Sequence, residues 1–415
     1  MRRCLLLTAI AALAAVPLGA APPAQAQIPL PADLSGTLNG SSYAIRVPAN
    51  WNGTLLVWCH GSGSGALQVV PPTYGEGDPD MAEELLSRGY AVAGSYYPDT
   101  HPEAELRTLA LTNFFKGQVG TPTRVIVWGN SLGGQTTLDL VERHSSAFDG
   151  AIAVAPVAAG MANWADEVLR YDVAYAAVFG WPSEVWGDLA DIRDDLEVSD
   201  VMPNFAWGGT PGQWEFVRLM MKMSPESWWL TDPGIGVPGF AIFGWKATVL
   251  RSESEREYGG PVGRNAGQVY TLTADEKAYL AGLGVAADPL LEWMNAHANI
   301  EARHSARVKA SQLQFGTPTG KLGSPTITMH GIHDPLLPVW HEAYYRDLVA
   351  AAGRSDELVQ AYVDGPVHAG FTAAQYLAAL EALEHWLDTG ERPDASYFPA
   401  AQGFLNGFVP PPWPY

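Results

Sequence analysis

The stretch Arg124 to Gly134, which reads RVIVWGNSLGG, decides how the rest of the chain is arranged. Residues 125–128 are apolar and rich in β-branched side chains, a pattern typical of a strand buried on both faces of a parallel sheet. The run ends on Gly129, and residues 134–143 continue with a pattern compatible with a helix. The sequence therefore predicts a strand, a tight turn and a helix in direct succession.

The turn between this strand and helix has the pattern G-x-S-x-G over residues 129–133, with Ser131 at its centre. Glycines two residues before and after the serine are required where a Cβ would clash with the neighbouring strand and helix. Such a turn, a nucleophile elbow, directs the Ser131 Oγ above the sheet and the Leu132 N–H at any oxyanion formed there. The pentapeptide alone is a weak signal, because an ordinary strand-to-helix turn can have the same residues.

A second predicted strand, residues 54–59, runs directly into the glycine-rich stretch HGSGSG at positions 60–65. A loop of this kind can cradle a phosphate, but its spacing differs from that of the dinucleotide-binding fingerprint. The favoured interpretation is a loop in which the Ser62 N–H faces the nucleophile and forms an oxyanion hole with the Leu132 N–H. A plain tight turn is the alternative.

Two further turns contain candidates for an acid and a base. Residues 325–330 are predicted to form a strand that is followed by Asp334, and His368 lies in the exit loop of the last predicted strand, residues 358–363. A neutral imidazole can take the proton of a serine hydroxyl, and an aspartate can hold that imidazole in the required tautomer. His330 and His333 are rivals of His368, but both share the turn of Asp334 and would have to fold back to reach the serine.

The three candidates follow in the order Ser131, Asp334, His368, each on the turn after a predicted strand. On these motifs the chain resembles the α/β-hydrolase superfamily, over about residues 34–157 and 312–390. The resemblance implies an α/β fold with a mostly parallel central sheet flanked by helices. It also implies a Ser-His-Asp triad that forms an acyl-serine intermediate and requires no metal or organic cofactor.

Between the two matching regions the alternation of strands and helices stops. We therefore predict an inserted, mainly helical lid domain over residues 158–311, between a first core part at 27–157 and a second at 312–395, with a proline- and aromatic-rich tail at 396–415. Most tryptophans of the lid are expected to pack its own core, and some to line a cleft that favours a bulky apolar or aromatic substrate. These tryptophans are Trp164, Trp181, Trp186, Trp207, Trp214, Trp228, Trp229, Trp245 and Trp293.

The start of the chain has the features of a secretory signal. Arginines at positions 2 and 3 precede an apolar run at 5–16, and Ala-Gln-Ala at 24–26 forms a small-x-small cleavage site. We predict that residues 1–26 are removed and that the protein is exported, extracellular or periplasmic, with no stable membrane anchor. Cys4 would leave with the signal, so Cys59 is expected to be an unpaired, buried residue. The formal net charge of −20 disfavours nucleic acid as a partner.

Three functions are compatible with these residues. The leading hypothesis is a secreted serine hydrolase that cleaves carboxylic esters, either small molecules or polymers. The alternative is a peptidase resembling the prolyl and tripeptidyl aminopeptidases, which would need acidic groups near the cleft to bind a free N-terminus. Candidates for such groups in the lid include Glu167, Asp172, Glu184 and Asp188. A noncatalytic binding protein on a hydrolase scaffold is the third, disfavoured because all three triad candidates are present.

Overall fold

The protein is described by a computed structural model that covers residues 28–62, 65–97, 101–312, 316–368 and 370–415. The signal peptide predicted at residues 1–26, including Cys4, lies outside the described residues and stays a prediction. Within the described ranges, no helix has both the length and the apolar composition needed to cross a membrane.

In the part of the chain that the structure describes, eight strands form one sheet. They are β1 (Ala32–Leu38), β2 (Ser41–Val47), β3 (Thr54–Cys59), β4 (Ala91–Ser95), β5 (Arg124–Asn130), β6 (Gly150–Val154), β7 (Thr326–Gly331) and β8 (Leu358–Val363). Their order in the sheet is β1-β2-β4-β3-β5-β6-β7-β8. Strand β2 pairs antiparallel with both β1 and β4, and all other neighbours are parallel. The predicted mostly parallel sheet is therefore confirmed, and β5, the strand before Ser131, lies in its interior.

Helices cover the sheet and fill the long connection between β6 and β7. They are α1 (Met81–Ser87), α2 (His101–Gln118), α3 (Leu132–Arg143), α4 (Met161–Phe179), α5 (Ser183–Trp186), α6 (Val198–Val201), α7 (Pro211–Met220), α8 (Pro225–Trp229), α9 (Gly239–Trp245), α10 (Arg251–Tyr258), α11 (Ala274–Gly282), α12 (Ala287–Ala296), α13 (His304–Ala310), α14 (Trp340–Ala351) and α15 (Ala373–Thr389). A π-helical turn, Lys246–Leu250, joins α9 to α10.

Both faces of the sheet are buried, which explains why its central strands are apolar without alternation. In β5, Ile126 and Trp128 face a core shared with α1 and α15, whereas Val125 and Val127 face a core shared with α2 and α3. All four side chains are at most 4% exposed. Burial on both faces is the usual environment of parallel strands flanked by crossover helices.

Residues 161–310, which we call the helical segment, pack around a core of their own that extends to Leu336, Leu337 and Trp340. The stretch from Asp288 to Val308 is not one continuous helix, because the chain forms α12 and α13 with a break between them. In the break, the Ile300 carbonyl accepts the backbone N–H of Asn265 at 3.0 Å, and the Asn265 side chain accepts the Ile300 N–H at 2.9 Å. These bonds hold the backbone outside a helix. The lid domain and its limits at 158 and 311 stay predictions.

The C-terminal tail follows the edge of the sheet and then reaches the helical segment. Phe404 forms a bridge with Val363 of β8. Further along, Trp413 packs edge-to-face on His341, and the Tyr415 hydroxyl donates a hydrogen bond to the Met221 carbonyl at 2.8 Å. The tail thus contacts both the sheet and the helical segment.

The first turn of α3 lies unusually close to the carboxyl end of β3. A Cβ added at Gly133 would lie 2.0 Å from the carbonyl oxygen of Cys59, and one added at Gly134 would lie 2.7 Å from that of Val154 in β6. Backbone atoms cannot move aside in the way that the end of a flexible side chain can. The helix therefore reaches this position only because both residues lack a side chain.

We expect Gly133→Ala to prevent folding or to destabilise the protein by more than about 4 kcal/mol, because the added methyl group overlaps main-chain atoms. Thermal unfolding followed by circular dichroism measures the change. Gly282→Ala is the matched control, since its Cβ would meet no atom within 4 Å and alanine favours a helix by about 1 kcal/mol over glycine. Equal melting temperatures for the two variants would contradict this account of the α3 contact.

Candidate active site

Ser131 has the backbone geometry that its motif predicts. It stands between β5 and α3 with φ of 57° and ψ of −122°, a conformation that non-glycine residues rarely adopt. Residues held in such regions cost about 1–3 kcal/mol and persist where the surrounding structure imposes them. The turn presents Ser131, which is partly exposed, to a cavity above the sheet.

The structure brings the three predicted triad residues together. Ser131 Oγ lies 2.9 Å from His368 Nε2, and His368 Nδ1 lies 2.8 Å from Asp334 Oδ2. His368 is 3% exposed and Asp334 is fully buried. A proton can therefore pass from the Ser131 hydroxyl to Nε2 while Nδ1–H stays bonded to the carboxylate.

Asp334 is held as a carboxylate by its surroundings. Its Oδ1 accepts the backbone N–H groups of Leu336 and Leu337 at 2.7 and 2.8 Å. Burial alone would raise its pKa, but the charge of His368 and the hydrogen bonds from His330 and His368 lower that pKa below its ordinary value. The residue is thus ionised at neutral pH and can stabilise an imidazolium on His368.

The glycine-rich loop after β3 lies directly against the serine. A Cβ on Gly61 would stand 3.2 Å from the Asn130 carbonyl and 3.3 Å from Ser131 Cβ. Ser62 and Leu132, the two predicted oxyanion-hole residues, line the same cavity as Ser131. The loop is braced by His60, whose Nδ1 bonds the Gly61 carbonyl at 2.8 Å. Its ring stacks on that of Tyr97 with 3.8 Å between centroids.

A family match agrees with this geometry. The geometry consists of the sheet order, the strained serine after a central strand, and the acid and histidine after β7 and β8. Residues 108–188, which include the elbow, match the model of the prolyl oligopeptidase family. The chain has the fold of the α/β-hydrolases. It is a hydrolase of the serine type. The predicted fold class and the predicted resemblance to the α/β-hydrolase superfamily are confirmed.

Similar proteins include both amide- and ester-cleaving enzymes. The o-phthalyl amidase of Xanthobacter agilis is 27% identical over 412 residues, covering 86% of this chain and 87% of that protein. Feruloyl esterase B from Aspergillus oryzae matches with a TM-score of 0.42 at 15% identity, covering 86% and 80% of the two chains. A puromycin-hydrolysing peptidase of Mycobacterium tuberculosis matches with a TM-score of 0.41 at 13% identity, covering 85% and 39%.

The cavity at Ser131 has a volume of about 210 Å³ and is mainly apolar. Its wall combines the elbow and the glycine-rich loop with side chains of the helical segment. These side chains are Met161, Trp164, Ile235, Trp245, Leu250, Glu253, Ser254 and Glu257, joined from outside the segment by Val157, Leu336 and Leu337. Two of the nine tryptophans, Trp164 and Trp245, therefore border the cavity, whereas Trp186, Trp214 and Trp228 are buried in the segment's own core.

The acidic residues suggested from sequence as N-terminus readers are not at the cavity. Glu167 is fully buried and pairs with Lys246, and Asp172 is fully buried and pairs with Arg251 at 2.7 Å. Glu184 and Asp188 also do not line it. Instead, Glu253 and Glu257, one turn apart on α10, do so. Their i, i+4 spacing was visible in the sequence, but the orientation of α10 was not.

The rival histidines are engaged elsewhere. His333 Nδ1 lies 3.1 Å from the Ser224 hydroxyl in the helical segment. His330 is fully buried behind the triad, with Nε2 3.3 Å from Asp334 Oδ2 and 2.7 Å from the Leu337 carbonyl. Its Nδ1 lies 3.1 Å from Glu342 Oε1. His330 therefore contacts the same Asp334 oxygen, Oδ2, as His368 does.

Two carboxylates around one buried imidazole determine its charge. Burial lowers the pKa of His330, but the hydrogen bonds and charges of Asp334 and Glu342 raise it to about 10. His330 is thus an imidazolium at neutral pH. In the sequence, this position was marked only by a histidine at the end of a predicted strand. That histidine lies four residues before Asp334.

The free energy of unfolding should fall as the pH rises from about 6.5 to about 10. The unfolded His330 releases its proton near pH 6.5, whereas the folded protein retains it until about pH 10, so its stabilisation is complete below the lower value. One retained proton corresponds to about 1.4 kcal/mol per pH unit across this window. Urea unfolding at several pH values measures the slope.

His330→Gln should lower stability at pH 7 and flatten this slope by about one proton. His297→Gln is the control, because within the described ranges that ring contacts no carboxylate but bonds the Trp293 carbonyl and stacks on Trp293, and its slope should match the unmodified protein. An unchanged slope in His330→Gln would show that His330 is neutral in the folded state.

Proposed function

We propose that this serine hydrolase cleaves carboxylic esters through an acyl intermediate on Ser131. The observation that supports this most is the unbroken chain of hydrogen bonds from Ser131 Oγ through His368 to Asp334, with lengths of 2.9 and 2.8 Å. In this proposal His368 is the general base, Asp334 orients its imidazole, and the N–H groups of Ser62 and Leu132 bind the oxyanion.

The reaction proceeds in two halves. His368 Nε2 takes the Ser131 proton as Oγ attacks the ester carbonyl, and the imidazolium then protonates the departing alcohol. In the second half His368 takes a proton from water, hydroxide attacks the acyl-serine, and the acid leaves as Ser131 regains its proton. The two N–H donors stabilise both tetrahedral intermediates, and losing one such donor typically costs about 10² to 10³ in rate.

The cavity size limits the group that can lie beside Ser131. A cavity of roughly 150 Å³ lined by apolar side chains is known to accept benzene, so about 210 Å³ accommodates one aromatic ring with a small substituent. The indoles of Trp164 and Trp245 provide flat apolar walls for such a ring. We therefore propose a substrate with a single-ring aromatic or short apolar group at this position.

The charge of the cavity wall restricts the substrate further. Glu253 and Glu257 line it, and no lysine or arginine does among the described residues. The internal stretches outside the described residues, 63–64, 98–100, 313–315 and 369, contain no lysine or arginine. Carboxylates near a bound anion are unfavourable by about 1–4 kcal/mol at contact distances. We propose that the cavity prefers neutral or cationic groups to anionic ones.

Amide cleavage is the second candidate, because the o-phthalyl amidase matches along 86% of this chain. A phthalyl group carries a free carboxylate beside the scissile carbonyl, which the two glutamates would repel. If this protein cleaves amides, we expect neutral aromatic acyl groups in place of phthalyl. The same glutamates would suit the ammonium group of a peptide N-terminus, so aminoacyl anilides belong in the substrate panel.

Purified protein should hydrolyse p-nitrophenyl esters of short or single-ring acids, and Ser131→Ala should reduce kcat by about 10⁴-fold or more. Ser254→Ala is the matched control, since Ser254 is another serine on the cavity wall and its variant should retain most activity. Turnover of anilides with much weaker turnover of matched esters would favour the amidase or peptidase. Absence of any turnover, or activity surviving in Ser131→Ala, would refute the proposal.

Charge selectivity is measured with phenyl esters of benzoic, para-carboxybenzoic and para-(aminomethyl)benzoic acid. We expect kcat/KM to be lowest for the anionic ester. The double variant Glu253→Gln/Glu257→Gln should shift the ratio of anionic to cationic substrate by about tenfold towards the anion. Glu292→Gln, on the exposed face of α12, should leave the ratio unchanged. An equal ratio in the double variant and the unmodified protein would exclude the glutamates as selectivity determinants.

A further inference from the structure

Asp232 is a fully buried carboxylate in the helical segment that touches the histidine loop. It lies between α8 and α9, and its Oδ2 accepts the backbone N–H of His368 at 2.6 Å. The two residues are 136 positions apart in the chain. The main chain of His368 is therefore fixed by a residue from a distant part of the sequence.

The other carboxylate oxygen holds the shape of its own loop. Oδ1 accepts the N–H groups of Gly234 and Ile235 at 2.7 and 2.8 Å. The Asp232 carbonyl accepts the Gly236 N–H at 2.7 Å, and a bridge joins Thr231 to Pro238. Among the described residues, Asp232 forms no ion pair with a basic side chain. Three backbone N–H groups thus satisfy the two oxygens of this carboxylate.

Asp232 also links the histidine to the wall of the cavity. Ile235, which its Oδ1 holds, lines the cavity at Ser131. On the other side of His368, a Cβ on Gly370 would lie 2.6 Å from Pro233 Cγ, so the two loops are in close contact there as well. One carboxylate therefore fixes the position of a substrate-facing side chain and of the histidine main chain together.

We propose that Asp232 is a positioning residue that sets the distance from His368 to Ser131 and Asp334. This inference rests on the proposed function, in which His368 is the general base. Without the Asp232 acceptor, the His368 N–H loses its partner in a buried site and the loop shifts to find another. Misplacement of a catalytic group by about 1 Å can lower the rate about 10²-fold.

The test compares Asp232→Asn and Asp232→Ala with the unmodified protein. Asparagine keeps the shape and one acceptor oxygen, so it can serve either His368 or the Gly234 and Ile235 pair but not both. We expect kcat to fall about 10-fold in Asp232→Asn and about 10²-fold in Asp232→Ala, with KM for a small ester changing less than about threefold. Asp80→Asn is the control for loss of a backbone-binding carboxylate, because Asp80 caps α1 at 2.9 and 3.1 Å. It should lower the melting temperature without changing kcat.

A second measurement does not require turnover. The His368 Nδ1 proton in its bond to Asp334 should give a low-field proton NMR signal, absent in His368→Ala and retained in Ser131→Ala. We expect the signal to shift or broaden in both Asp232 variants and to stay unchanged in Asp80→Asn. If Asp232→Ala does not fold, both kcat and the NMR signal are measured in Asp232→Asn.

Unchanged kcat and an unchanged signal in a folded Asp232 variant would overturn the inference, and so would a change confined to KM or to melting temperature. An inactive wild-type protein whose signal still depends on Asp232 would refute the proposed function while supporting the positioning role. Failure of the positioning role can therefore be distinguished from failure of the proposed function.

Discussion

The close approach of the first turn of α3 to the end of β3 is the constraint on which the site depends. Because Gly133 has no side chain, the helix can start directly beneath the Cys59 carbonyl, and Ser131 is left at a positive φ between strand and helix. That backbone conformation points Oγ towards His368. A wider turn would relax the serine and separate it from the histidine. The buried sheet on either side supplies the rigidity that keeps the strained residue in place.

Charge is buried behind the reacting atoms as well. Asp334 lies between His368 and His330, and His330 in turn contacts Glu342, which also accepts the Thr328 hydroxyl at 2.6 Å. A buried carboxylate without such partners would be neutral, and it would then be a poor acceptor for an imidazolium. The network therefore keeps the charge on Asp334 that the chemistry of His368 requires. Removing any member of this network lowers the free energy of unfolding, because the remaining groups would stay buried without partners.

The sequence allowed the sheet and the elbow to be predicted because both are encoded locally. Apolar runs, their spacing and the glycines around Ser131 specify strands and turns within a few residues. The break between α12 and α13 was not predictable in this way, since it depends on Asn265, which is remote in sequence from Ile300. No local sequence feature placed Asp232, Glu253 or Glu257 near the triad either. Their positions near the triad follow from how the helical segment packs, and apolar periodicity does not determine that arrangement.

Two hydrogen bonds join one stretch of the helical segment to the turns that contain the acid and the histidine. Ser224 contacts His333, beside Asp334, and Asp232 holds the main chain of His368. Lifting residues 224–232 away from the sheet would break both bonds and release the histidine loop at the same time. Substrate access by that route would disassemble the machinery that acts on the substrate. Substrate entry and product release that leave the triad intact therefore use another side of the cavity. The side of α10 is one such route, because Glu253 and Glu257 are only partly buried there.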